Sequence, residues 1–148
     1  MPSPSTQQSY MSLKDGNVPM VDANGIMTNL IWSPRFVAKT AAYTVTAKES
    51  GTWFLTTGAT AAVTFTLPAI SDGPYIFFFV AVADIGMTVA AGTADTLLTF
   101  NDAAADSVAF SQASEIMGGF VIAGCDGTTV FALTPISAHS QTVTVTTN

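Results

Sequence analysis

The sequence predicts an all-β protein, a small antiparallel β-sandwich or barrel that is jelly-roll-like and carries an extended N-terminal arm. Turn residues recur about every eight to twelve positions along most of the 148-residue chain, a spacing typical of sandwiches and barrels. Charged residues make up only 9% of the chain, and the Thr, Ser and Ala that replace them suit extended sheet and close subunit contact. Residues 63–67 alternate strictly, so Val63, Phe65 and Leu67 share one apolar face.

Residues 1–40 are predicted to form the arm. The first twenty are rich in Pro, Ser, Gln and Thr, and their isolated apolar residues cannot offset a backbone ordering entropy of about 1–2 kcal/mol per residue. Asn24-Gly25 indicates a tight turn, and Pro34 favours extended backbone before it. We expect an arm that is either disordered or ordered by a partner.

Residues 41–148 are predicted to form the β domain. Alternation or β-rich composition predicts strands at 43–47, 52–57, 63–67, 75–83, 87–90, 96–100, 120–123, 129–133 and 141–148. Asp126-Gly127 predicts a hairpin between the strands on either side of it. Residues 101–109 are the least strand-like segment, for which we predict a surface loop, with one helical turn as the alternative.

The strand predicted at 75–83 contains no charge and is rich in aromatic and β-branched residues, which is typical of a strand covered on both faces. In so short a chain, the second face needs either a second layer or a neighbouring subunit. The side chains expected to divide between core and subunit interface are Phe77, Phe78, Phe79, Val80 and Val82.

The sequence lacks a recognisable catalytic or metal-binding set. His139 is the single histidine and lies in the linker before the last strand, and Cys125 is the single cysteine and lies in a predicted turn. Asp95, Asp102 and Asp106 are close in sequence but lack the spacing of a calcium loop. We therefore expect no enzyme activity, no metal and no cofactor.

Charge and hydropathy limit the partners. The net charge is -6, and the basic residues all fall within the first 48 positions, so the body lacks the Lys and Arg that phosphate binding requires. We expect no nucleic-acid partner. No signal-peptide pattern is present, and the apolar stretch 75–94 is interrupted by Asp84, Gly86 and Gly92, which favours strand, turn and strand over a membrane span.

Several segments resemble structural proteins of tailed bacteriophages, namely capsid decoration (cement) proteins, head fibres and tail-associated β domains. They are YTVTA at 43–47, SGTWF at 50–54, TGAT at 57–60, VTFTLPA at 63–69 and DGT at 126–128. The similarity covers about residues 43–133. VDANG at 21–25, Met27-Thr28 and Trp32 are similar to the arm that precedes such domains.

The resemblance implies a non-enzymatic structural virion protein. Such a protein is made in the host cytoplasm, forms a homotrimer and binds the major capsid protein on the outer surface of the shell, which it stabilises. The arm residues that we expect to contact the shell are Tyr10, Met11, Leu13, Lys14, Met20, Ile26, Leu30, Trp32 and Arg35.

Two other functions stay open at this point. A tail-fibre or baseplate module that recognises a host-surface glycan would use exposed aromatic residues, for which Trp53 and Tyr75 are the candidates. A β-sandwich enzyme acting on polysaccharide is the third possibility, since folds of this type host many functions.

Overall fold

The computed structural model describes residues 34–92, 95–134 and 141–147. The described residues all belong to one compact unit, which begins at Pro34. The strands of the described residues are β1 (Arg35–Ala38), β2 (Tyr43–Thr44), β3 (Thr52–Leu55), β4 (Val63–Thr66), β5 (Tyr75–Val80), β6 (Met87–Ala90), β7 (Leu97–Thr99), β8 (Asp102–Ala105), β9 (Ser107–Phe110), β10 (Phe120–Cys125), β11 (Val130–Leu133) and β12 (Thr144–Thr146). Short 3-10 helices occupy Ala47–Glu49 and Ile70–Asp72.

The strands form two sheets, which confirms the predicted all-β sandwich. One sheet has seven strands in the order β1-β3-β5-β10-β11-β7-β8, and the other has five in the order β12-β9-β6-β4-β2. The predicted antiparallel pairing holds for part of each sheet, because both sheets are mixed. Pairs β1/β3, β3/β5, β2/β4, β4/β6 and β7/β11 run parallel.

The parallel pairs arise from the path of the first six strands. Odd-numbered strands join the seven-stranded sheet and even-numbered strands join the five-stranded sheet, so the chain winds through both sheets three times. Turn-rich connections suggest hairpins when only the sequence is known, since a tight turn can join antiparallel neighbours. Here these connections carry the chain from one sheet to the other.

The core lies between the sheets and is built from aromatic rings. Phe54, Phe65, Phe77 and Phe79 are fully buried, with ring centroids 5.7 Å apart for Phe54–Phe65 and 4.9 Å for Phe65–Phe79. Complete burial of such a side chain stabilises the fold by about 1.5–3 kcal/mol. The alternation predicted for residues 63–67 is confirmed, since Val63, Phe65 and Leu67 are all buried.

The expectation that β5 is buried on both faces is wrong for a single chain. Tyr75, Phe77 and Phe79 point into the core, whereas Ile76 is 40% exposed and Phe78 is only half-buried. The second face of β5 lies on the outside of the sandwich, where no other layer of the described residues covers it.

Two further differences concern strands that the sequence does not predict. Residues 101–109 form most of β8 and β9 instead of a loop or helical turn, and β1 joins the sheet although no strand was predicted there. The predicted arm boundary at position 40 therefore lies beyond β1. Among the described residues, no helix is long and apolar enough to cross a membrane.

Candidate functional site: the outer face of the seven-stranded sheet

Strand pairing aligns five apolar side chains in one row across the outside of the seven-stranded sheet. Phe36 pairs with Trp53, Trp53 with Phe78, Phe78 with Ile122, and Ile122 with Leu133. We call these five residues the central row. Because side chains alternate between faces, all five point away from the core.

The rest of this surface is equally apolar. On β1, β3, β5, β10, β11 and β7, the outward positions carry no charged or hydrogen-bonding side chain apart from the Trp53 indole. We define the apolar face as these residues: Phe36, Ala38, Trp53, Leu55, Ile76, Phe78, Val80, Leu98, Phe120, Ile122, Gly124, Phe131 and Leu133.

The outer face of the five-stranded sheet has the opposite chemistry. Its outward positions are occupied by small residues, most of them hydroxylated: Thr44, Thr64, Thr66, Thr88, Ala90, Ser107, Ala109, Thr144 and Thr146. Threonine satisfies both strand propensity and solvation on such a face. Both outer faces belong to mixed sheets of one sandwich, so the apolar character of one face is a property of its sequence and not of sandwiches in general.

Aromatic rings stack on one another in the middle of the apolar face. The Trp53 ring stacks on Phe78 at 4.6 Å between centroids and on Phe120 at 5.6 Å, and Phe36 packs against Trp53 at 5.8 Å. The Trp53 indole Nε1 is buried and has no hydrogen-bond partner among the described residues. The rings cover one another in part and leave a contiguous apolar surface outside.

Exposure is greatest at the two ends of the central row. Phe36 is 59% exposed at the β1 end and Leu133 is 53% exposed at the other end. Single exposed apolar residues are ordinary on protein surfaces, whereas a contiguous apolar patch marks an interaction site.

A cavity of about 400 Å³ opens at the β7/β11 end of the apolar face. Parallel pairing of β7 with β11 covers Val130↔Leu97 and Phe131↔Leu98, and the cavity lies where this pairing stops. Its lining residues are Thr99, Phe100, Ile122, Ala132, Leu133 and Thr134. The hydroxyl oxygens of Thr99 and Thr134 are buried and have no hydrogen-bond partner among the described residues.

Phe100 at the rim of this cavity has an unfavourable backbone conformation. Its φ is 43° and that of Asn101 is 65°, which gives the β7/β8 hairpin a turn with two left-handed residues. Asn accepts this region readily, but a bulky aromatic residue there is an outlier. Two consecutive residues with positive φ are the usual geometry of a tight hairpin turn, so the cost at Phe100 is that of closing the β7/β8 hairpin.

No protein family, curated protein or solved structure matched this chain. The function is therefore argued from the chain's own residues.

The structure places the predicted interface residues in three environments. Phe77 and Phe79 lie in the core, Phe78 and Val80 lie on the apolar face, and Val82 lies beyond the end of β5 with 39% of its surface exposed. Of the predicted shell contacts, Arg35 is exposed on β1. The remaining predicted contacts lie outside the described residues: Tyr10, Met11, Leu13, Lys14, Met20, Ile26, Leu30 and Trp32.

Sequence reasoning missed most of the apolar face. The sequence predicts strands there, without a further role for four of their residues: Phe120, Ile122, Phe131 and Leu133. Yet Phe120-x-Ile122 and Phe131-x-Leu133 are apolar at alternate positions. The intervening positions in both strands are also apolar. A strand that is apolar on both faces indicates that both faces are covered, and this pattern could have predicted the apolar face.

The residues considered for sugar binding and for thiol chemistry, Tyr75 and Cys125, are buried and have structural roles. Tyr75 is buried, its hydroxyl donates to the Pro68 carbonyl oxygen at 2.7 Å, and burial raises its pKa well above the usual tyrosine range. The Cys125 thiol is buried, and its Sγ accepts a hydrogen bond from the Gly127 amide at 3.2 Å. Among the described residues, no three His, Cys, Asp or Glu side chains are grouped to hold a metal ion.

A polar cluster fixes the connection between β2 and β3. The Tyr43 hydroxyl donates to the Glu49 carboxylate at 2.8 Å, and the Lys39 ammonium lies 3.2 Å from the centroid of the Tyr43 ring. Burial opposes ionisation of Glu49, but hydrogen bonds from the Thr46 amide, Tyr43 and the Thr46 hydroxyl outweigh it and lower the Glu49 pKa. This cluster orders a turn and leaves the apolar face as the main candidate site.

Proposed function

We propose that this chain is a structural virion protein that binds the outside of a phage capsid shell and stabilises it. In this proposal it acts as a homotrimer whose copies meet through the apolar face. The observation that supports the proposal is the contiguous, uncharged apolar face on one side of a sandwich whose other side is covered with threonine. Such a surface favours a permanent protein contact.

The size of the apolar face fits a specific interface. Neighbouring strands lie about 4.8 Å apart and residues rise about 3.3 Å along a strand, so the face measures roughly 30 Å by 20 Å, or about 600 Å². Specific interfaces bury about 600–1,000 Å² per partner. At about 25 cal/mol per Å², removing this face from water would contribute on the order of 15 kcal/mol per copy before the costs of association.

Another copy of the chain is a suitable partner for this face. The face offers no charge and almost no hydrogen-bonding group, so a matching surface must be apolar as well. A second copy supplies such a surface and is present wherever the first is made.

Shell binding is assigned to the arm. The described body carries an excess of carboxylates, whereas Lys14 and Arg35 lie in or next to the arm, and the arm also contains Tyr10, Leu13 and Trp32. A segment that binds only the assembled shell stabilises it by mass action, by about 2.7 kcal/mol per site at a concentration one hundred times the dissociation constant.

The first experiment measures the mass of the purified full chain by light scattering at several concentrations. We expect a trimer near three times 15.3 kDa. A chain lacking residues 1–33 keeps β1 and should stay trimeric while losing most of its binding to capsid particles, since Arg35 is the one predicted shell contact that it keeps. A monomer at every concentration would contradict the self-association part of the proposal, and undiminished particle binding by the shortened trimer would contradict the role of the arm.

Glycan recognition is the second candidate function, because Trp53, Phe78 and Phe120 form an aromatic platform on the outside. Sugars also need hydrogen-bonding side chains next to such a platform, and the apolar face lacks them. Tyr75, the other predicted sugar contact, is buried. Binding to host-cell glycans by the chain lacking residues 1–33 would favour this alternative.

A further inference from the structure

The two ends of the apolar face have complementary shapes. At the β1 end, Phe36 projects from an edge strand as one of the most exposed large apolar side chains of the described residues. At the other end lies the cavity beside β7 and β11, a shallow and open depression with a volume of about 400 Å³. One end provides a protrusion and the other a recess.

The surface of the cavity suits an apolar side chain. Its apolar lining comes from Phe100, Ile122, Ala132 and Leu133, whereas the hydroxyl oxygens of Thr99 and Thr134 are buried and therefore covered by other atoms. An aromatic ring such as that of Phe36 matches this apolar lining.

The register places the protrusion and the recess at the same level along the strands. Phe36 and Leu133 are the two ends of the central row, and Ile122, also in that row, lines the cavity beside Leu133. When copies are related by rotation about an axis parallel to the strands, equivalent rows stay at equal height. Phe36 of one copy is then level with the cavity of the next.

We propose that Phe36 of one copy inserts into the cavity between β7 and β11 of the next copy. The contact is heterologous, since one end of the apolar face meets the opposite end of its neighbour, and heterologous contacts close into rings when the rotation permits. In a ring whose apolar faces point towards the axis, the β1 edge of each copy lies beside the β7/β8 edge of the next. This inference rests on the self-association in the proposed function and specifies its geometry.

Cross-linking of the full chain tests the geometry while preserving Phe36 and every residue that lines the cavity. In a Cys125→Ala background, Ala38→Cys marks the β1 end and Leu98→Cys marks the β7 end of the face. With a short bismaleimide, the double variant should give covalent trimers, and each single variant should give none. Dimers from Ala38→Cys alone would show that β1 meets β1 and would overturn the inference.

Substitution of the protruding ring provides the second measurement. Phe36→Ala should raise the concentration at which the trimer dissociates by at least tenfold, with only a small fall in the melting temperature of the monomer, because Phe36 is 59% exposed and packs against Trp53 alone among the described aromatic rings. Met117→Ala is the matched control, since Met117 is 64% exposed but lies outside the apolar face. If Phe36→Ala leaves the dissociation of the trimer unchanged, the insertion of Phe36 is overturned while the proposed trimer stands. If the unsubstituted chain never self-associates, both the insertion and the proposed trimer are overturned.

Discussion

At the level of single residues, Asp126 shows how one side chain fixes a hairpin. Its carboxylate accepts hydrogen bonds from the Thr128 hydroxyl, the Thr128 amide and the Thr129 amide, each at 2.7 Å. These bonds lower the Asp126 pKa, with the Thr128 hydroxyl as the largest cause. Because the folded-state pKa lies below the unfolded value, the carboxylate contributes stability above the unfolded pKa and loses it as pH falls through the folded pKa.

We therefore expect Asp126→Asn to lower the melting temperature at pH 7. The difference from the unsubstituted chain should disappear as the pH falls well below the ordinary aspartate pKa of about 3.9. Circular dichroism melts between neutral and strongly acidic pH measure this. Asp84→Asn removes the same charge from an exposed loop position and serves as the control. A melting difference that is independent of pH would contradict the role of the charged carboxylate.

Asp126 and Phe100 show which turns can be predicted from single residues and which cannot. The hairpin at Asp126-Gly127 was predictable because both residue types favour turns. The Asp126 carboxylate accepts hydrogen bonds from the turn, and Gly127 adopts a positive φ of 95° without steric cost. The turn at Phe100 was not predictable, since phenylalanine rarely adopts a φ of 43°. That turn depends on the pairing of β7 with β8, which local sequence does not encode.

At the level of elements, Gly124 allows β10 to fit between β5 and β11. A Cβ at this position would lie 2.7 Å from Cζ of Phe131 and 3.0 Å from the Tyr75 carbonyl oxygen. We expect Gly124→Ala to destabilise the fold by about 1–3 kcal/mol, measured by chemical unfolding, because overpacking forces neighbours to shift. The double variant Gly124→Ala/Phe131→Leu should recover part of this loss, since it removes the nearest ring atom. Equal losses in both variants would mean that the backbone contact dominates.

The elements that the sequence predicts well are those whose pattern is local. β4 and β5 were found from alternation and composition, and the β10/β11 hairpin from its turn. β8 was missed because Asp102–Ala105 is rich in alanine, which has low strand propensity, and it forms through pairing with β7. The parallel pairing of β1, β3 and β5 was missed for a similar reason, since the partners of each strand are set by how the chain winds between sheets.

At the scale of the whole molecule, the proposed trimer predicts that one face of β5 serves folding and the other serves assembly. Phe77 is fully buried in the core, whereas Phe78 lies on the apolar face and stacks on Trp53. We expect Phe77→Ala to cost about 3–5 kcal/mol of unfolding free energy. Phe78→Ala should cost less in the monomer but raise the concentration at which the trimer dissociates. Chemical unfolding and light scattering on both variants test this, and equal effects of the two variants on both measurements would contradict the division.

The distribution of charge predicts that salt acts differently on the two proposed contacts. The apolar face carries no charge, and copies with a net charge of -6 repel one another, so added salt should leave the trimer intact or strengthen it. In the proposed function the arm binds the shell with the help of Lys14 and Arg35, so that binding should weaken as the Debye length falls from about 10 Å at 0.1 M to about 3 Å at 1 M. Sedimentation with capsid particles and light scattering of the free protein, each across this salt range, measure the two contacts separately. A trimer that dissociates in high salt would mean that ion pairs outside the apolar face hold the copies together. Particle binding that persists in high salt would mean that the apolar residues of the arm, and not Lys14 and Arg35, make the shell contact.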